Sequence, residues 1–367
     1  MEPGRELVTA INTNLIPEQR APRPDPFSEI RLTSLSATRG ANYWSRRPVT
    51  RLDLAVGAFD DLSSAESPNF TDRLVTALPG LETHRCSIGE RGGFVMRLNR
   101  GTYAPHIIEH VALELQSMIG HDVGYGRSRG GDVDGEYTVV FEHRHEATGL
   151  RAAALALDIV QQAFAATLTT VDHAVAELRA IAAIPEVPWL TPRVLCGVTG
   201  GSARTELRAA IARAIGSEVG LIVDLSPAFI LQAGLSYAES DLAVVIDTDL
   251  SDVPERYQDP ERAERLVTVM VDGLRRGGVL IAPAKAWSLQ HAARDVGASV
   301  AVFSGTDDIT TRDRKMARSS AWMENGSIVV EHRGRTVASV PCDESLAPAV
   351  QAAVALVNLA LREQTAA

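Results

Sequence analysis

Cysteine is nearly absent from this chain. The three present in 367 residues, Cys86, Cys196 and Cys342, lie far apart and form no CxxC pair, which excludes a disulfide framework and fits a reducing compartment. The sequence also has no lysine or arginine run, and its formal charge is −10. A protein that grips a phosphate backbone normally presents a basic face, so a nucleic-acid partner is not expected. No apolar run reaches membrane-spanning length, and no membrane contact is expected. The opening MEPGRELVTAINTNLIPEQRAPRPDP has no basic start followed by an apolar core, so a signal peptide is not expected and the chain reads as cytoplasmic. There is no internal repeat.

What the sequence does have is enough apolar material, 45% of residues, for two domains with their own cores. Residues 1–28 read as a polar, proline-containing arm, expected to be poorly ordered. Residues 29–185 mix short strands and helices. IRLTSLSAT, VTRLDLAVGAF, GGFVMRLN and GEYTVVFEH read as strands. FTDRLVTAL, residues 104–119 and ATGLRAAALALDIVQQAFAATL read as helices. The expectation is an α+β domain with helices returning across a small sheet. Three prolines in AIAAIPEVPWLTPR mark a boundary. From 190 to 367 the rhythm becomes α/β: apolar β-branched runs such as VLCGVTG, VGLIVDL, LAVVIDTD, GVLIAPA and ASVAVFS alternate with helices, which predicts a buried, mostly parallel sheet.

The stretch with the sharpest chemistry is HIIEHVALELQ, residues 106–116. On a helix, His106 and His110 share one face a turn apart and could hold a single cation. Glu109 lies beside them in the order H-x-x-E-H, the inverted zincin pattern, whose glutamate acts as base on zinc-bound water. A His–Glu pair on a helix can also serve solubility alone. Here, however, the surroundings are apolar and the polar groups would be half buried and in need of partners. Six of the nine histidines also fall between residues 84 and 145. An open zinc site needs a third protein ligand, and Glu142 at a strand end, ahead of Glu146 at a helix start, is the expected one. Glu114 suits a partner that orients His110, and His143 and His145 stand outside the set. Arg97, Arg127 and Arg129, in strand-end or glycine-rich contexts, would meet substrate carboxylates.

In the second half GVTGGSART, residues 197–205, follows a strand and opens a helix, where a phosphate-binding loop belongs. Ala203 stands where the loop needs its last glycine and Arg204 where it needs lysine. A Cβ and a wide guanidinium are both poor substitutes there. Asp247, Asp249 and Asp252 follow in VVIDTDLSD without a spacing that matches a nucleotide site. The loop reads as degenerate, with no nucleotide cofactor.

ATRGANYWS, VTALPGLETHRCS, RGGFVMRLNRGTYAPHIIEHVALELQ, VGYGRSR and GEYTVVFEHRHEATGLRAA resemble the N-terminal domain of cyanophycin synthetases, over about residues 32–165. GVTGGSART, FILQAGLSYAESDLAVVIDTD and AWMENGSIVVEHRG are more loosely similar to the central domain of Mur ligases. The ATP-grasp module that separates these parts in the synthetases is replaced by a short connector. Some family members hold a metallopeptidase-like centre in the N-terminal domain. By resemblance, His106 and His110 become zinc ligands, Glu109 the base, and the chain a zinc-dependent hydrolase of cyanophycin or a related aspartyl polymer. Cyanophycin is a poly-aspartate with arginine amide-linked to each side chain, so the partner implied is a peptide polymer. The alternative is a non-catalytic partner or regulator of a cyanophycin-type ligase. The Mur-like half would bind substrate, support a homo-oligomer or stabilise the first domain.

Overall fold

The computed structural model describes residues 23–86, 89–185, 192–215 and 220–366. Most of the expected N-terminal arm and most of the proline-marked connector lie outside these.

The first domain opens with α1 (Pro26–Glu29), β1 (Arg31–Ala37), β2 (Val49–Ala55), α2 (Phe70–Ala77) and α3 (Gly93–Arg100). It continues with α4 (Ala104–Met118), β3 (Gly126–Gly130), β4 (Glu136–Glu142), α5 (Glu146–Phe164) and α6 (Asp172–Ala182). Its strands form an antiparallel sheet in the order β1-β2-β4-β3. Strand period fixes its two faces. Leu52 pairs with Val139, and with Leu54 and Phe141 they enter a core shared with Ile107, Ile108 and Val111 of α4 and Ala152, Ala156 and Ile159 of α5. Arg51 and Asp53, in alternate register, occupy the other face opposite Val140 and Thr138.

One expected strand is corrected. GGFVMRLN forms most of helix α3, because Phe94 and Leu98, four residues apart, are both buried while Met96 and Arg97 between them are exposed. Arg97 therefore stands on a helix rather than at a strand end.

The second domain contains β5 (Leu195–Thr199), α7 (Ala203–Ile215), β6 (Leu221–Asp224), α8 (Pro227–Ala233), β7 (Ser240–Val245), α9 (Pro260–Asp272) and β8 (Leu274–Pro283). There follow α10 (Trp287–Asp295), β9 (Ser299–Ser304), α11 (Thr311–Met316), β10 (Ser319–Glu324), β11 (Ser327–His332), β12 (Arg335–Pro341) and α12 (Pro348–Ala366). The sheet order is β12-β11-β10-β9-β8-β7-β5-β6. β5 to β10 run parallel to one another, and at one edge β11 pairs antiparallel with β10 and β12 antiparallel with β11. Apolar clusters cover both faces, one with α9 and α10, the other with α7 and α12. The expectation of an α+β domain followed by an α/β domain with a mostly parallel sheet holds. No helix among the described residues is long and apolar enough to cross a membrane.

The two domains are joined through the segment after β1. Leu235 N–H donates to Ala41 O at 2.8 Å, and Arg265 donates to the carbonyls of Asn42 and Tyr43 at 3.2 and 3.3 Å. Arg46 pairs at 2.8 Å with Asp272, whose side chain is 1% exposed. A Cβ at Gly40 would lie 2.0 Å from Tyr237 O, so only glycine lets this segment reach the second domain.

Candidate metal centre

Helix α4 starts at Ala104 and carries Pro105 in its first turn, where the missing N–H costs nothing. It carries His106, Glu109, His110 and Glu114 toward one side of the domain, with Glu109, His110 and Glu114 each only 6% exposed. Burial of this many polar groups requires partners, and two neighbouring segments supply them.

The segment after the 3-10 turn Pro79–Thr83 brings His84 and Cys86 against the helix. His84 Nε2 lies 3.0 Å from Glu114 Oε2, and His84 Nδ1 lies 2.9 Å from His110 Nδ1. An ionised carboxylate only accepts, so His84 donates from Nε2, and a neutral His84 then offers its Nδ1 lone pair to His110 Nδ1–H. This leaves a lone pair on His110 Nε2. Thr102 Oγ1 lies 2.8 Å from His106 Nδ1, and Cys86 Sγ 3.3 Å from His106 Nε2. Phe94 stacks on His110 with ring centroids 3.9 Å apart, and holds its plane. A Cβ on Gly80 would meet Glu114 Oε1 at 1.9 Å, so the turn must carry glycine for the carboxylate to reach His84.

Cys86, His106 and His110 each present a donor atom within 4.8 Å of the others. Tetrahedral zinc spaces its nitrogen and sulfur donors by roughly 3.3–3.8 Å, so the three groups need only close slightly around an ion. Their electrostatics suit one. Burial pushes His110 down to about 2, helped by His106 and His84. Burial, with the Arg97 guanidinium, pushes His106 down to about 4. Both rings are therefore neutral at physiological pH, the state in which imidazole binds a metal. Burial raises Glu109 to about 7, against the lowering effects of a Ser128 hydrogen bond and Arg127. Among the described residues the N/S donor set, the neutral imidazoles and the Glu114–His84 relay fit zinc.

His84, Cys86, His106, Glu109 and His110 line a cavity of about 870 Å³, together with Arg97, Arg127 and Arg129. Gly126 borders it because a Cβ there would lie 2.7 Å from Glu109 Cγ. His106, Glu109, His110 and the three arginines are thus gathered as expected. Glu142 and Glu146, expected as the third ligand, lie elsewhere. Glu142 accepts from Ser45 Oγ at 2.8 Å and faces Arg47, and Glu146 pairs with Arg39 at 3.1 Å. Neither lines the cavity. His143 and His145 also stand apart, against Thr50 and His121. Cys86 and His84 were not foreseen. The crowding of histidines from residue 84 onward, just ahead of the H-x-x-E-H helix, was the available clue.

The degenerate loop of the second domain is filled by its own side chains. Asp247 Oδ1 accepts Gly201 N–H at 2.7 Å and Asp249 N–H at 3.0 Å. Arg204 donates to Gly200 O at 2.8 Å and pairs closely with Asp224. Asp252 accepts from Ala228 N–H at 3.3 Å.

Residues 51–165 match the family model for the cyanophycin synthase-like N-terminal domain. The cyanophycin synthetase of Trichormus variabilis is 46% identical over 136 residues, covering 36% of this chain and 15% of that protein. The cyanophycin synthetase of Crocosphaera subtropica is 50% identical over 123 residues, 32% of this chain and 14% of that protein. The chain thus spans about 15% of the length of the curated relatives it matches. Among solved structures, the MurF ligase of Thermotoga maritima in complex with ADP aligns at TM-score 0.35 and 11% identity, over 46% of this chain and 45% of that one. The murein peptide ligase mpl of Psychrobacter arcticus aligns at 0.32 and 13%, over 47% and 44%. The resemblance of the first domain is therefore established as a match to that domain family. The expectation of a zinc-dependent hydrolase is corrected by the curated relatives that share the first domain, which are named synthetases.

Proposed function

We infer that this chain is a zinc-holding module that binds a cyanophycin-type peptide polymer as the partner of a ligase, without itself supplying ATP. The observation that carries the reading is the contrast inside the chain. The first domain directs Cys86, His106 and His110 into a cavity edged by Arg97, Arg127 and Arg129, and the second domain closes its phosphate loop with Asp247 and Arg204. The few residues between Ala182 at the end of α6 and Leu195 at the start of β5 support the same reading.

Cys86, His106 and His110 would hold the zinc, which when bound supplies a Lewis-acidic anchor for a carboxylate or carbonyl oxygen. Glu114, through His84, orients His110. Glu109 lines the same cavity, hydrogen-bonded to Ser128, and places its carboxyl beside the bound chain. The three arginines offer forked donors to the free carboxylates of such a polymer, those of its linked arginines and its chain terminus. The test is metal analysis of the purified chain, followed by titration with a soluble aspartyl-arginine peptide before and after chelation. About one zinc per chain and at least tenfold weaker binding after chelation are expected. A chain that neither retains added zinc nor binds the peptide refutes the reading.

A further inference from the structure

A second cavity, of about 920 Å³, lies between the two domains. We propose that this interdomain cleft binds an extended acidic peptide segment, with arginines from both domains gripping successive carboxylates. The proposal deepens the polymer-binding reading above and uses neither the histidines nor a metal.

The cleft's first wall is the outward face of the small sheet. Arg127 pairs with Val140 and Arg129 with Thr138, and Val140 pairs in turn with Arg51, so the three arginines share one face. Ser128, between Arg127 and Arg129, turns to the opposite face, where it hydrogen-bonds Glu109. The facing wall comes from the second domain and contributes Arg256 and Arg262. Five arginines and two aspartates, Asp132 and Asp252, therefore border one cavity in a chain whose formal charge is −10. Part of the positive charge is already balanced. Arg51 pairs with Asp53 at 3.0 Å, Arg262 with Asp259 at 3.3 Å, and Arg256 closely with Asp132. Asp252 faces a backbone N–H. Arg127 and Arg129 are exposed and make no ion pair among the described residues. Clustered like charges repel unless an anion lies between them.

Two features select a chain rather than a small anion. Arg127 and Arg129 are two residues apart on a strand, which spaces them by roughly 6.5–7 Å, the spacing of same-face side chains in an extended peptide. Their strand, β3, is the edge of its sheet and among the described residues pairs only with β4, so its outer side can receive a further strand. Arg127, Arg129 and Gly130 also line the histidine cavity, so the two cavities meet at this edge.

The experiment is fluorescence anisotropy of the full chain with a labelled octa-aspartate. R127Q/R129Q, R256Q/R262Q, R256K/R262K and R333Q/R335Q are compared, with thermal midpoints confirming that each is folded and zinc content recorded for each. Loss of two charge-assisted contacts is expected to weaken binding by about tenfold or more in each glutamine pair. R256K/R262K should recover part of that loss, and R333Q/R335Q, which removes two exposed charges outside both cavities, should bind octa-aspartate like the parent. A folded R256Q/R262Q that binds as the parent does overturns the proposal. So does inorganic phosphate displacing the peptide at equal charge concentration, which would make this a small-anion site. Equal loss in R333Q/R335Q also overturns it, by showing that binding follows overall charge and not the cleft.

Discussion

The histidine centre and the phosphate-type loop both sit at the start of a helix beside a sheet, and both gather polar groups, yet they are finished in opposite ways. In the first domain the protein's own hydrogen bonds consume one nitrogen of each histidine and leave the other aimed at its neighbours: Thr102 takes His106 Nδ1 and His84 takes His110 Nδ1. In the second, the backbone N–H that would meet a phosphate is spent on Asp247, and Arg204 folds back on Gly200. A buried polar group left without a protein partner is costly unless a ligand completes it. The difference teaches where each domain expects a ligand and where it has replaced one.

The largest effect should come from removing the donors. H106A/H110A should take zinc from about one equivalent to near zero by elemental analysis, and C86S should weaken the affinity measured against a competing chelator. If the double variant keeps its zinc, the first domain's side of the comparison fails. Next comes Phe94→Ala. Phe94 is fully buried and stacks on His110, so truncation should cost about 3–5 kcal/mol of stability, read by denaturant unfolding, and should loosen the ring it supports. Glu114→Gln is milder. It leaves the core intact but removes the anion that fixes His84, and through it the His110 tautomer. Partners of this kind are worth roughly 10–100-fold in metal affinity. Unchanged affinity in E114Q would mean that the relay is structural packing only.

How much of this was legible beforehand follows from where each contact is made. His106, Glu109 and His110 could be placed because helix geometry is local, and positions three and four apart must share a face. The parallel sheet could be placed because its strands are buried on both sides and read as apolar runs. Cys86 and His84 could not, since they meet α4 across 20 and 26 residues of chain and only tertiary packing of the turn before α3 brings them there. Glu142 and Glu146 were attractive because they follow a strand in sequence, but Ser45, Arg47 and Arg39 hold them elsewhere. Helix α3 deceived because Phe94, Met96 and Leu98 alternate like a strand, while only the pair four apart is buried.

The smallest expected effect sharpens the other half of the comparison. A nucleotide that binds only the folded chain at 100 times its Kd would add about 2.7 kcal/mol to stability, a shift of a few degrees in a domain of this size. Magnesium-ATP at millimolar concentration should give the parent no such shift, because Asp247 presents a carboxylate where a phosphate oxygen would have to sit and like charges cannot share that place. D247N removes the charge but leaves Arg204 bonded to Gly200 and Asp224, so it too should stay unresponsive. Only combining D247N with A203G and R204K, which restores a glycine and a compact ammonium, should open the loop enough for a measurable shift. A clear response from the parent chain would show that the loop's internal bonds yield readily to phosphate, and the distinction between an open site and a self-closed one would no longer separate the two domains.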